Sequence, residues 1–134
     1  MLNFDVSYAI TRRLSGTTLA RARERITAAL QAEGFGVLTE IDLQATLEKK
    51  IGAHVAPYVI LGACNPHLAH QAITHEPAVG LLLPCNVVVA QDGDEIVLSA
   101  VAPKAMFAAL PDATKLASVA EDADGRLRRA IANA

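Results

Sequence analysis

The run Pro57-Tyr58-Val59-Ile60-Leu61-Gly62-Ala63 is apolar almost throughout and stops at Cys64-Asn65-Pro66. A short, near-continuous apolar run reads as a strand buried on both faces, because a half-buried strand would alternate. The stop is as informative as the run. Asparagine is a strong N-cap and proline suits the first helical position, so Asn65-Pro66 opens a helix. That helix is expected to reach about His75, with Glu76-Pro77 closing it. A chain that must bury such a strand and then turn at once into a helix calls for a layered fold of both element types.

The flanking segments fill in that fold. Phe4, Val6, Tyr8 and Ile10 alternate with more polar neighbours, which predicts a half-buried first strand ended by Arg12 and Arg13. Thr17 or Thr18 can cap a helix running to about Glu33, with Leu19, Ala22, Ile26, Ala29 and Leu30 on one face and Gly34 as its stop. Phe35 to Ile41 alternates as a second strand, in which Leu38 falls on the polar side. Asp42 can cap a shorter helix from Leu43 to about Lys50, with Leu43 and Leu47 turned inward and Gly52 ending it. Leu81–Ala90 and Glu95–Val101 read as a fourth and a fifth strand, joined through Gln91-Asp92-Gly93-Asp94, and Asp-Gly is a strong hairpin signal. Pro103 to Leu110 forms a short helical turn, Pro111-Asp112 breaks it, and a last helix spans about Ala113 to Ala132.

The order is therefore β-α-β-α-β-α-β-β-α-α. Strict alternation would argue a doubly wound parallel sheet, but the closing hairpin breaks it. The expectation is an α+β fold, with a twisted mixed sheet of about five strands and helices mainly on one face. At 134 residues the chain is expected to be one domain over 1–134.

Composition limits the function classes. Net charge is −2 and no long Lys/Arg run exists, so a nucleic-acid partner is not expected. No window approaches the ~18 apolar residues of a membrane span and no export leader is visible, so a cytoplasmic protein without a membrane partner is expected. In that compartment Cys64 and Cys85 read as thiols rather than a structural disulfide.

Chemistry concentrates at the break after the third strand. Cys64 lies just before a helix N-cap, where free amides and the helix dipole favour an anion, so it is the candidate catalytic residue of a thiol enzyme or redox sensor. Its bland alternative is a buried cysteine serving as a small apolar residue. The pair Cys64-Asn65 recurs as Cys85-Asn86 within a second apolar run, so Cys64, Asn65, Pro66, Cys85 and Asn86 form the candidate wall of one ligand pocket, with a small anionic ligand a natural occupant. A zinc or copper reading uses Cys64, His67, His70 and Cys85, with His75 a further candidate. The spacing matches no strong zinc motif, and helix histidines are commonly exposed. Otherwise nothing calls for a cofactor: there is no nucleophile elbow, phosphate-binding glycine loop, dinucleotide fingerprint or Cys-x-x-Cys motif.

Three ordered stretches, Gly34 to Asp42, Ile60 to Pro66 and Gly80 to Val89, resemble the bacterial and archaeal domain-of-unknown-function family 302. The resemblance spans the first helix through the fifth strand. It implies a small α+β domain that forms a homodimer, and it implies no activity. The family pattern falls on Cys64, Asn65, Pro66, Pro84 and Cys85. His67 and His70 lie outside it, which weakens the metal reading. The leading expectation is thus a cytosolic, homodimeric ligand-binding domain.

Overall fold

The computed structural model describes residues 1–110 and 113–134; the break expected at Pro111-Asp112 lies outside the described residues. Strands are β1 (Ala9–Leu14), β2 (Gly36–Asp42), β3 (Tyr58–Cys64), β4 (Cys85–Asp92) and β5 (Glu95–Val101). Helices are α1 (Leu19–Ala32), α2 (Leu43–Ile51), α3 (Pro66–His75), α4 (Pro103–Phe107) and α5 (Ala117–Asn133), with 3-10 turns at Pro77–Leu82 and Ala113–Leu116.

The fold is α+β, as expected, with five strands in the order β1-β5-β4-β3-β2. The pairing corrects one expectation: the sheet is not mixed, because every neighbouring pair is antiparallel. The reason lies in the connections. Parallel neighbours need a crossover that carries the chain to the far end of the sheet. Here Ala63 opposes Cys85 at the end of β3 and the start of β4, so α3 and its 3-10 turn leave and re-enter at the same end. Likewise Asp42 opposes Val59, so α2 is an excursion inside a hairpin.

One face of the sheet carries the main core. Ala22, Ile26 and Leu30 of α1 and Leu127, Ala130 and Ile131 of α5 pack on Leu61, Val87, Val89, Ile96 and Leu98. The spacing of the α1 residues is the three- and four-residue periodicity of one helix face. Thr18 caps α1 by accepting the Arg21 amide at 3.2 Å. Gly34 follows at φ +85°, a conformation in which a side chain would be strained. In α2, Leu43 and Leu47 are only half-buried and no residue is fully so.

A second cluster sits beyond the end of the sheet. Leu68 and Ala72 of α3, Val79, Phe107 of α4, Leu116, and Val119, Ala120 and Ala123 of α5 form it without any strand residue. Thus α5 serves both clusters, its first half the second and its last half the main one. Asp124 stands between those halves, 2% exposed. Its carboxylate accepts the Lys104 amide at 3.3 Å and the Arg128 Nε at 2.6 Å, tying α4 to α5.

Two expected strands are displaced. The alternation from Phe4 does not make β1, which runs instead through Arg12 and Arg13 to Leu14. Both arginines are tolerated there because each finds a remote partner. Arg12 donates to the carbonyls of Ile131, Ala132 and Ala134 at the end of α5. Arg13, on the other face, bonds the Asp92 carboxylate at 2.8 Å and the Leu2 carbonyl. That guanidinium, helped by the Leu2 amide, holds the Asp92 carboxyl below its ordinary range. The segment before β1 lies along the second face, where Thr11 Oγ1 donates to the Phe4 carbonyl at 3.0 Å. The apolar run expected to open β4 at Leu81 is a 3-10 turn as far as Leu82, with Leu81 88% exposed, and β4 begins only at Cys85.

Candidate ligand cavity at the Cys64 break

The strand-to-helix break forms as the sequence predicts. Asn65 caps α3, its Oδ1 accepting the Leu68 amide at 3.2 Å, and Pro66 takes the first helical position. The side chain is also used at its other end. Asn65 Nδ2 donates to the Glu33 carbonyl at 3.4 Å, and Arg126 Nη1 donates to the same oxygen at 3.1 Å. The end of α1, the start of α3 and the middle of α5 therefore meet at one carbonyl. Gly34 makes room for this, since a Cβ there would stand 2.9 Å from Asn65 Nδ2.

Beside that junction is a cavity of about 320 Å³. It occupies the seam between the two clusters. Phe35, Ala63 and Cys85 contribute from the main core, and Leu68, Phe107 and Val119 from the second. Among the described residues, no charged side chain and no histidine lines it. Its mouth is shaped by an irregularity in β2. The register between β2 and β3 shifts between Val37 and Thr39, so Leu38 is the extra residue. A bulged residue leaves the pleat and is re-aimed; Leu38 lies at the cavity while remaining 67% exposed. Nearby, Thr39 and Pro84 close over Gly62 so tightly that a Cβ on Gly62 would collide with both.

The structure brings together three of the five expected pocket residues: Cys64, Asn65 and Cys85 line this cavity. Pro66 is exposed at the head of α3 and off the wall. Asn86 points the other way, because successive residues of a strand face opposite sides. It is exposed and lies in a separate cleft with Phe4, Tyr58 and Val88 on the second sheet face. The repeated Cys-Asn pair is thus half informative: its cysteines converge and its asparagines do not.

Both cysteines are free. Cys85 is buried, and burial, reinforced by the neighbouring Cys64, pushes its thiol up to about 11 from 9.0. Desolvation disfavours the thiolate, so Cys85 keeps its proton at neutral pH. Cys64 is only half-buried. His67, His70 and His75 lie on exposed positions of α3. Among the described residues, no group of three or more His, Cys, Asp or Glu is placed to hold a metal ion. The residues of the zinc or copper set are not brought together: the imidazoles are on exposed positions of α3 while both thiols line the cavity.

Some wall residues escape the sequence reading. Phe107, Val119 and Ala123 come from elements distant in the chain; helical spacing puts Val119 on the apolar line of the last helix, but no local pattern marks any of the three as cavity wall. Leu38 did carry a signal, as the apolar residue out of phase in β2.

Residues 10–134 match the family described as Domain of unknown function DUF302. The chain belongs to this family. A solved relative is the uncharacterized conserved protein DUF302 from Bacillus stearothermophilus, at 28% identity and a TM-score of 0.87, covering 96% of this chain and 98% of that one. No curated protein matches the chain. No helix among the described residues is long and apolar enough to cross a membrane. The family match begins inside β1 and takes in every wall residue of the cavity.

Proposed function

We propose that this DUF302 domain binds a small apolar molecule at the seam between its two hydrophobic clusters. The observation that carries this reading is the cavity of about 320 Å³ with no charged residue among the described residues of its wall. Its size falls at the lower end of the roughly 300–1,000 Å³ typical of small-molecule sites, which are mostly apolar with a few polar groups. The few here are Thr39, the two thiols and an Asn65 already committed to its neighbours. An anionic ligand, the occupant favoured by helix polarity alone, would meet no countercharge among the described residues of this wall. A thiol enzyme is supported less well, because no described wall residue can act as general base beside Cys64.

Ala69→Leu tests the reading. Ala69 is half-buried on the wall, so a larger side chain takes up cavity space with little disturbance of either core. A fluorescent naphthalene dye should bind the wild type and bind the variant on the order of tenfold more weakly, a difference of about 1.4 kcal/mol. Equal binding by both would remove the cavity as the site. The homodimer is part of the same reading. Support comes from β2, an edge strand whose Leu38 and Ile41 are exposed apolar residues, and unpaired edges are templates for a second chain. Light scattering at micromolar concentration should give twice the mass of one chain, and a single-chain mass would end that part.

A further inference from the structure

Cys64 and Cys85 come from different strands and both line one apolar cavity. Ala63 opposes Cys85 across the β3–β4 pair, and Cys64 is the next residue along. Neither is consumed by a disulfide. A pair of thiols in a wall whose described residues carry no charge is poorly suited to a hard cation, which needs charged ligands, and well suited to a soft centre bonded through sulfur.

We propose that Cys64 and Cys85 form a dithiol clamp for apolar molecules bearing a soft, thiol-seeking centre, with trivalent aryl arsenicals as the chemical class. The inference rests on the cavity reading above, since the aryl group needs the apolar seam. The chemistry balances without an oxidant. An aryl arsenic(III) oxide condenses with two thiols: two As–S bonds form, the arsenic–oxygen bonding breaks, and both thiol protons leave with that oxygen as one water. Arsenic stays trivalent and neither sulfur is oxidised. Burial of Cys85 is no obstacle, because the proton leaves as the bond forms.

Phenylarsine oxide is the probe. The wild type should take one arsenical per chain by intact mass and lose both free thiols. The adduct should withstand excess monothiol and be released by a vicinal dithiol. Cys64→Ala and Cys85→Ala can bind through one sulfur only, so their adducts should be lost in monothiol roughly tenfold or more faster, the second sulfur acting at high effective concentration in the wild type. A wild-type adduct that leaves one thiol free, or is lost as fast as those of the variants, overturns the clamp; this holds on the wild type alone if a variant misfolds. The naphthalene dye, which has no arsenic, separates the two ideas. Dye bound by the wild type with no clamp formed overturns the thiol inference and leaves the cavity reading standing. Dye bound by neither the wild type nor the Cys64→Ala/Cys85→Ala double variant overturns the cavity reading.

Discussion

The two hydrophobic clusters are built on different principles. The main core is a sheet face covered by α1 and the last half of α5, and its strand residues are held in register by backbone hydrogen bonds. The second cluster contains no strand residue and is assembled from the hairpin excursion after β3, the short α4 and the first half of α5. A sheet fixes its side chains along its whole length. Helix ends and 3-10 turns fix theirs only where caps and remote hydrogen bonds reach, as Asp124 does for α4. The cavity lies where the closely registered region meets the loosely specified one. Close packing is the norm in protein interiors, so a void at this boundary marks the place where the two regions were not built to fit each other.

That contrast is breakable by truncation, and the largest effect should be in the main core. Leu98→Ala removes a side chain with no exposed surface and should cost about 4 kcal/mol in urea unfolding. Leu68→Ala, on the cavity wall, should cost about 2 kcal/mol, because part of its surroundings is already empty. Equal costs would mean that the two clusters are one.

Cys85 sharpens the comparison from the main-core side of the seam. Its folded thiol ionises near 11 against an ordinary 9.0. Below pH 9 both folded and unfolded states keep the proton, so the group contributes no pH dependence there. Between pH 9 and 11 the unfolded chain loses its proton first, and stability falls as pH rises, by about 3 kcal/mol in all. Subtracting the alkaline profile of Cys85→Ala from that of the wild type isolates this loss. A flat difference would show that the thiol is solvated and the seam open to water.

The smallest effect belongs to the junction. Asn65→Ala removes the α3 cap and one of the two donors to the Glu33 carbonyl, and should cost about 1 kcal/mol in thermal unfolding. Asn65→Ser, which keeps a capping oxygen but not the amide donor, should recover most of that loss. If it recovers nothing, the contact with α1 outweighs the cap, and the second cluster is held to the first more firmly than its helix ends suggest.

What the sequence shows of this molecule follows the same divide. β5 and α3 begin and end where local patterns place them, because Asp-Gly and Asn-Pro carry their own geometry. β1 does not, because Arg12 and Arg13 belong in a strand only when the end of α5 and Asp92 are there to receive them. The start of β4 is misplaced for a related reason: Leu81 to Leu83 is as apolar as a strand, yet Leu81 faces solvent. At the site, the cysteines are legible because both interrupt buried runs. Phe107, Val119 and Ala123 are not, because helical periodicity marks Val119 and Ala123 as buried without showing that they face a cavity shared with distant elements. The antiparallel pairing was equally hidden, since helix-length connections look the same in sequence whether they cross the sheet or fold back beside the strand they left.

The bulge at Leu38 has an evolutionary side. Position 38 sits outside the strand register, at the cavity and open to solvent, so its size can change without moving any paired residue of β2 or β3. A single codon there can retune what enters the seam while the sheet beneath inherits no penalty. Position 38 is thus open to divergence between relatives that keep the scaffold and change the guest.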